Sequence, residues 1–377
     1  MNVKMADLRG QHEMIAPEID KAIQSVLEHA AFIRGREVDE LESELADYLD
    51  VSHVLGVANG TDALQIAMMS LDIGPGDEII TSAFTVFATA EAGGLLGATP
   101  VFADIDPRTF NIDPECVESL ITPRTKAIVP VHLFGQPADM APIMEIAHRH
   151  GLGVIEDNAQ SIGAEYRDQK TGCIGDIGCL SFFPTKNLGC YGDGGAIVTN
   201  DEALHKKARM VSNHGAERKY HNEIVGVNSR LDTIQAAILK VKLRHLDTYQ
   251  TRRQQVARIY DTLFDEHPFI TTPHHAPDRT HVYHQYTLRI SEEFPGKRDG
   301  LAAFLAEHRI PHAIYYPVPL HNLPVFARGG CRKGPLDETE KASREVLSLP
   351  IHPLLTEHEQ QYIADKIMQY FDRVVSA

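Results

Sequence analysis

Gly153-Val154-Ile155-Glu156-Asp157-Asn158-Ala159-Gln160 is the stretch that decides the fold. An apolar run without alternation passes directly into polar residues. That is the pattern of a strand buried on both faces that delivers its polar groups at the carboxyl end. In open α/β sheets ligands bind at that edge. Working outward, further strand-like runs stand at His53-Val54-Leu55-Gly56-Val57-Ala58, Glu78-Ile79-Ile80, Pro100-Val101-Phe102-Ala103, Ala127-Ile128-Val129-Pro130-Val131, 178–183 and 195–198. Between them lie helical patterns. Residues 37–49 carry Val38, Leu41, Leu45, Tyr48 and Leu49 at helical spacing, and 89–96 can be helical until Gly97. Gly74-Pro75-Gly76-Asp77 reads as a turn. Strands separated by helices predict an α/β fold with a mostly parallel sheet covered on both faces.

The later chain reads differently. A charged, helix-permissive stretch over 232–267 is expected to link the large domain to the rest. Tyr286-Thr287-Leu288-Arg289-Ile290 follows as a strand, and helices are expected over 299–308 and 357–375. The expected division is a large α/β domain over 1–245 and a smaller C-terminal α+β domain over 246–377. A chain of 377 residues, 43% hydrophobic and 23% charged, can bury one large core and a smaller one.

Composition narrows the function. A formal charge of −16 argues against a nucleic-acid or acidic-membrane surface, which would concentrate Lys and Arg. The cationic run over 240–258 includes Asp247 and reads as a solvated face. Cys116, Cys173, Cys179, Cys190 and Cys331 form no C-x-x-C pair and no zinc spacing, so no metal site is expected and free thiols in a reducing cytoplasm are the simplest reading. His274-His275 and the histidines of 281–284 read as surface or packing residues. The amino terminus has no apolar core of signal-peptide length and no stretch approaches a membrane span, so a cytoplasmic protein is expected.

The chemistry is carried by Asp157 together with Lys186, set in Ser181-Phe182-Phe183-Pro184-Thr185-Lys186-Asn187-Leu188-Gly189. Singly, each has a plainer reading: an Asp after a strand caps a helix, and a loop lysine is solvated. A Ser-x-x-Lys acyl-transfer motif drops out, because Phe183 stands where its serine would be. Paired, they fit pyridoxal phosphate (PLP), which needs a lysine amine to hold its aldehyde covalently and a carboxylate to keep its pyridine nitrogen protonated. A third piece is Asn59-Gly60-Thr61-Asp62-Ala63-Leu64, which opens a helix after the first strand. Its free amides and positive dipole end suit a phosphate, although an ordinary Asn or Thr cap accounts for the same residues.

Gly60-Thr61-Asp62-Ala63-Leu64, Glu156-Asp157-Asn158-Ala159-Gln160 and the 181–189 segment resemble, in order and spacing, the DegT/DnrJ/StrS sugar-nucleotide aminotransferases. The likeness extends through Phe32-Ile33-Arg34-Gly35, Gly192-Asp193-Gly194-Gly195-Ala196, Asn228-Ser229-Arg230-Leu231-Asp232 and Tyr315-Tyr316-Pro317-Val318-Pro319-Leu320-His321, nearly the whole chain.

The resemblance implies a fold type I PLP-dependent aminotransferase. It makes Lys186 the catalytic lysine, pairs Asp157 with the pyridine nitrogen and sets Gln160 at the ring's phenolic oxygen. Phosphate contacts would fall to Gly60, Thr61, Asp62, Ser181 and, from a second subunit, Asn228, which implies a homodimer with shared sites. Where the family places an aromatic ring over the cofactor this chain has Val86, followed by Phe87. Arg230, Tyr316 and His321 are the implied substrate contacts. The expected reaction moves an amino group from an amino acid, L-glutamate first, to a keto group of a nucleotide-linked sugar. The late segments are closest in feel to enzymes of UDP-linked 3-keto-uronic acids, in surface polysaccharide synthesis. Enzymes of 4-keto sugars linked to dTDP or UDP remain an alternative, as does a PLP-binding regulatory protein without catalysis.

Overall fold

The short apolar runs assemble side by side. A computed structural model describes residues 3–218 and 220–376. Five strands, β1 (His53–Val57), β2 (Glu78–Ser82), β3 (Thr99–Ala103), β4 (Thr125–Val129) and β5 (Gly153–Asp157), join Ile177–Ser181, Gly195–Thr199 and Arg332–Lys333 in one eight-stranded sheet. The spatial order is β1, Gly195–Thr199, Ile177–Ser181, β5, β4, β2, β3, Arg332–Lys333. Only Gly195–Thr199 runs against its neighbours, so the sheet is mostly parallel, as expected.

Helices cover both faces because the strands are apolar on both. Leu55, Val57, Cys179 and Ile197 pack against Ala63, Leu64 and Ile66 of the helix Gly60–Ser70. The alternate residues Val54, Leu180, Ala196 and Val198 pack against Val38, Leu41, Leu45 and Leu49 of the helix Arg36–Leu49. The period of two in the strands and the spacing of three and four in the second helix interlock.

The C-terminal part builds its own core. Ile270–Thr271, Tyr286–Ile290 and Val346–Leu349 form an antiparallel sheet whose Tyr286, Leu288 and Leu347 pack with Tyr260, Phe294, Leu301, Ile363 and Phe371. It also returns to the large sheet. Arg332 pairs with Val101 in register, and its Nη1 donates to the buried Glu78 Oε2 at 2.7 Å.

The helix-permissive 232–267 stretch forms two helices, Thr233–Leu243 and Leu246–Leu263, broken at Arg244 and His245. Ile238 and Val241 of the first pack on Ile15 and Ile19, whereas Val256 and Tyr260 of the second enter the C-terminal core. Against expectation, the 240–258 run is only in part a solvated face. Lys242 is buried and donates to Gly189 O, and buried Arg253 donates from Nη1 to Tyr283 O (3.1 Å) and Ile351 O (3.0 Å). Carbonyls at the ends of neighbouring segments satisfy these cations, which charge pattern alone cannot reveal.

Candidate active site

Two neighbouring parallel strands end together. Asp157 closes β5 and Ser181 closes the strand beside it, with Asp157 opposite Cys179 in register. The helix Gly60–Ser70 opens at the same edge. A Cβ added to Gly60 would stand 2.7 Å from Ser181 Cβ, so only glycine lets the helix start approach that strand end. Asn59 Oδ1 accepts from Asp62 N at 2.8 Å, which leaves the first amides, on Gly60 and Thr61, without an intrahelical acceptor. Lys186 follows Ser181 in a turn closed by its own amide on Phe183 O (2.8 Å).

The electrostatics of the pair are asymmetric. Desolvation pulls the Lys186 amine down to about 8, and the Asp157 charge opposes this only in part. Asp157 is 1% exposed, and its carboxylate accepts from Thr89 Oγ1 (2.7 Å) and Ala159 N (3.2 Å). Thr89 was missed by sequence reasoning. The available signal is a lone hydroxyl in the apolar helix Phe87–Leu95, with its partner 68 residues away.

Gln160 is held from two sides. Its Oε1 accepts from Phe134 N (2.7 Å) and its Nε2 donates to Tyr316 Oη (3.2 Å). Tyr316, implied above as a substrate contact, thus stands beside Gln160, implied above as a cofactor contact, with its ring edge-on to Phe84 at 5.7 Å. Burial raises its phenol well above the ordinary range, so it stays protonated at neutral pH. Val86, 38% exposed, precedes the helix Phe87–Leu95, while Phe87 packs against Phe326 (5.7 Å). The aromatic ring of Phe87 is engaged elsewhere, and the isopropyl group of Val86 is exposed.

The remaining residues lie apart. Ser229 Oγ accepts from Ala58 N (3.0 Å) and pins its segment beside the turn into the helix Gly60–Ser70. Asn228 is exposed there, and Arg230 lines a cavity of about 480 Å³ with Arg34. His321 is 3% exposed. Its Nε2 meets Glu340 Oε1 at 3.2 Å, its Nδ1 has no partner among the described residues, and burial lowers its affinity for a proton.

PLP fits this arrangement. The edge combines an amine of lowered proton affinity, a buried carboxylate and a helix start that glycine alone keeps open. Beside Val86, the hydroxyl of the buried Thr85 also has no partner among the described residues.

Residues 13–368 match the profile of the DegT/DnrJ/EryC1/StrS aminotransferase family. The chain belongs to this family. DegT/DnrJ/EryC1/StrS aminotransferases are PLP-dependent, and this member is accordingly a transaminase. It is 50% identical to a pleiotropic regulatory protein of Geobacillus stearothermophilus, over 98% of this chain and 99% of that one. It is 48% identical to the UDP-2-acetamido-2-deoxy-3-oxo-D-glucuronate aminotransferase of Pseudomonas aeruginosa, over 94% and 96%. The crystal structure of DesV from S. venezuelae superposes with a TM-score of 0.94 at 41% identity, covering 99% of each chain. Among the described residues, no helix is long and apolar enough to cross a membrane.

Proposed function

We propose that this aminotransferase transfers an amino group from an amino acid, L-glutamate, to the keto group of a nucleotide-linked sugar, a UDP-linked 3-keto hexose or hexuronic acid. It does so as a cytoplasmic homodimer in surface polysaccharide precursor synthesis. The observation that carries the chemistry is the lowered amine of Lys186 facing the buried carboxylate of Asp157. The 48%-identical relative, named for a 3-oxo-glucuronate, supports the sugar class.

Bound PLP supplies an electron-poor ring that stabilises negative charge on the carbon carrying the amino group. The chain supplies the rest. Lys186 Nζ holds the aldehyde and then moves the proton at the reacting carbon. Asp157, fixed by Thr89, keeps the pyridine nitrogen protonated, and Gln160 meets the phenolic oxygen. The amides of Gly60 and Thr61 with the Ser181 hydroxyl bind the phosphate, joined by Asn228 of a second copy. Arg230 binds the sugar carboxylate as a bidentate donor.

The test is the visible spectrum of PLP-loaded protein before and after L-glutamate. Loss of the yellow band should be followed by amination of UDP-linked 3-keto sugars. Arg230→Gln should lose the preference for uronic acids over neutral hexoses, and an unchanged preference would sink the assignment. The relative named as regulatory favours a second reading, binding without turnover. It predicts a yellow band indifferent to every amino donor.

A further inference from the structure

A cavity of about 640 Å³ lies outside the site built around Lys186. It opens between the 107–110 turn that follows β3 and the C-terminal sheet. The volume is that of small-molecule sites, which run from roughly 300 to 1,000 Å³.

Its charge runs against that of the molecule. In a chain of formal charge −16, the lining carries Arg108, Arg289 and Lys341 against one carboxylate, Glu345. Arg289 is engaged, with Nη2 on Glu345 Oε2 at 2.6 Å, Glu338 at 3.9 Å and its guanidinium over the Phe110 ring at 5.7 Å. Arg108 is two-thirds exposed and pairs with Asp106 at 3.4 Å, and Lys341 makes no ion pair within 4 Å among the described residues, its charge felt only at a distance by Glu292. Two cations therefore stand at the mouth, Lys341 without a close carboxylate and Arg108 with one exposed partner.

The interior is polar and unsatisfied. An inner recess shares Arg108, Phe110, Pro273 and His274 with the cavity and is also lined by Gln285. Gln285 is 9% exposed, and its Oε1 has no partner among the described residues; neither has His274 Nε2. Buried polar atoms of this kind are rare unless a ligand or water completes them. Pro107, Pro273 and Phe110 add flat apolar walls. Phe110 also closes the cavity on the inner side. It stacks on Phe84 (5.9 Å), behind which stands Tyr316 with Gln160.

We propose that this cleft is a second binding site, for a nucleoside diphosphate. Arg108 and Lys341 hold the phosphates, and the base lies between the prolines with its edge toward Gln285 and His274. The site is separate from any nucleotide held beside Lys186.

The test is calorimetric titration of the PLP-loaded protein with UDP. Two UDP per chain are expected. Arg108→Ser with Lys341→Ser should weaken one of them at least tenfold, and the glutamate half-reaction should keep its wild-type rate. Thr272→Trp, which fills the cleft and leaves its charges, should remove the same UDP. One UDP per chain, unmoved by either change, overturns the inference. So does a loss with the double variant alone, since that reports only a long-range field. The sugar reading fails separately: its test is the uronic-acid preference lost in Arg230→Gln, which neither cleft change should move.

Discussion

In the proposed reaction, Lys186 is where the chemistry is most sensitive to a single group. An amine lowered from 10.5 to about 8 is ~9% neutral at pH 7, against ~0.03% for an ordinary lysine. Only the neutral amine attacks an aldehyde. Capture of PLP by cofactor-free protein should therefore speed up about tenfold per pH unit below 8 and level off above it; a rate still climbing at pH 10 would contradict the buried amine. Lys186→Ala should lose both the yellow band and turnover, and a variant that still transaminated would end the mechanism. Thr89→Val keeps the volume and removes the donor to Asp157 Oδ2. It should weaken PLP binding roughly tenfold, with a shifted band, the scale of one hydrogen bond to a charged group. Lys186 and Asp157 were legible because each sits in a local sequence context. Thr89 was not, because nothing near residue 89 announces a carboxylate 68 positions on.

Among the elements, the helix Gly60–Ser70 and the strand Ile177–Ser181 work as a pair. Their approach is set by the missing Cβ of Gly60. Gly60→Ala should push the helix start off Ser181 and raise the PLP dissociation constant at least tenfold by equilibrium dialysis. The far end of the helix, packed on the sheet, should melt as before. An unchanged dissociation constant would mean that the phosphate is bound elsewhere. The strands were legible as short apolar runs whose buried period is their own. The 232–267 stretch was not, since one helix-permissive sequence serves two different surfaces and the break at Arg244 and His245 follows from the packing on either side.

At the scale of the whole molecule, several large apolar side chains on segments carrying or flanking the candidate site residues are exposed. Phe32, Ile33 and Phe183 are each about half exposed, and Val225 is 86% exposed. Exposed apolar side chains of this size suit a subunit interface. If Asn228 of one copy completes the site of the other, Lys186→Ala and Asn228→Asp proteins, each inactive alone, should regain about a quarter of wild-type activity when mixed and reassembled, because half the dimers are hybrids with one intact site of two. No recovery would place Asn228 outside its neighbour's site. The sequence by itself determined the α/β class, the strand runs and the pairing of Lys186 with Asp157, because these are written in local periodicity and in the chemistry of adjacent residues. Only the tertiary structure decided that Thr89 steadies Asp157, that Tyr316 meets Gln160, that Lys242 and Arg253 are buried and that His321 is held by Glu340. Those contacts join segments far apart in the chain, and a side chain's partner across such a distance is fixed by how the layers pack.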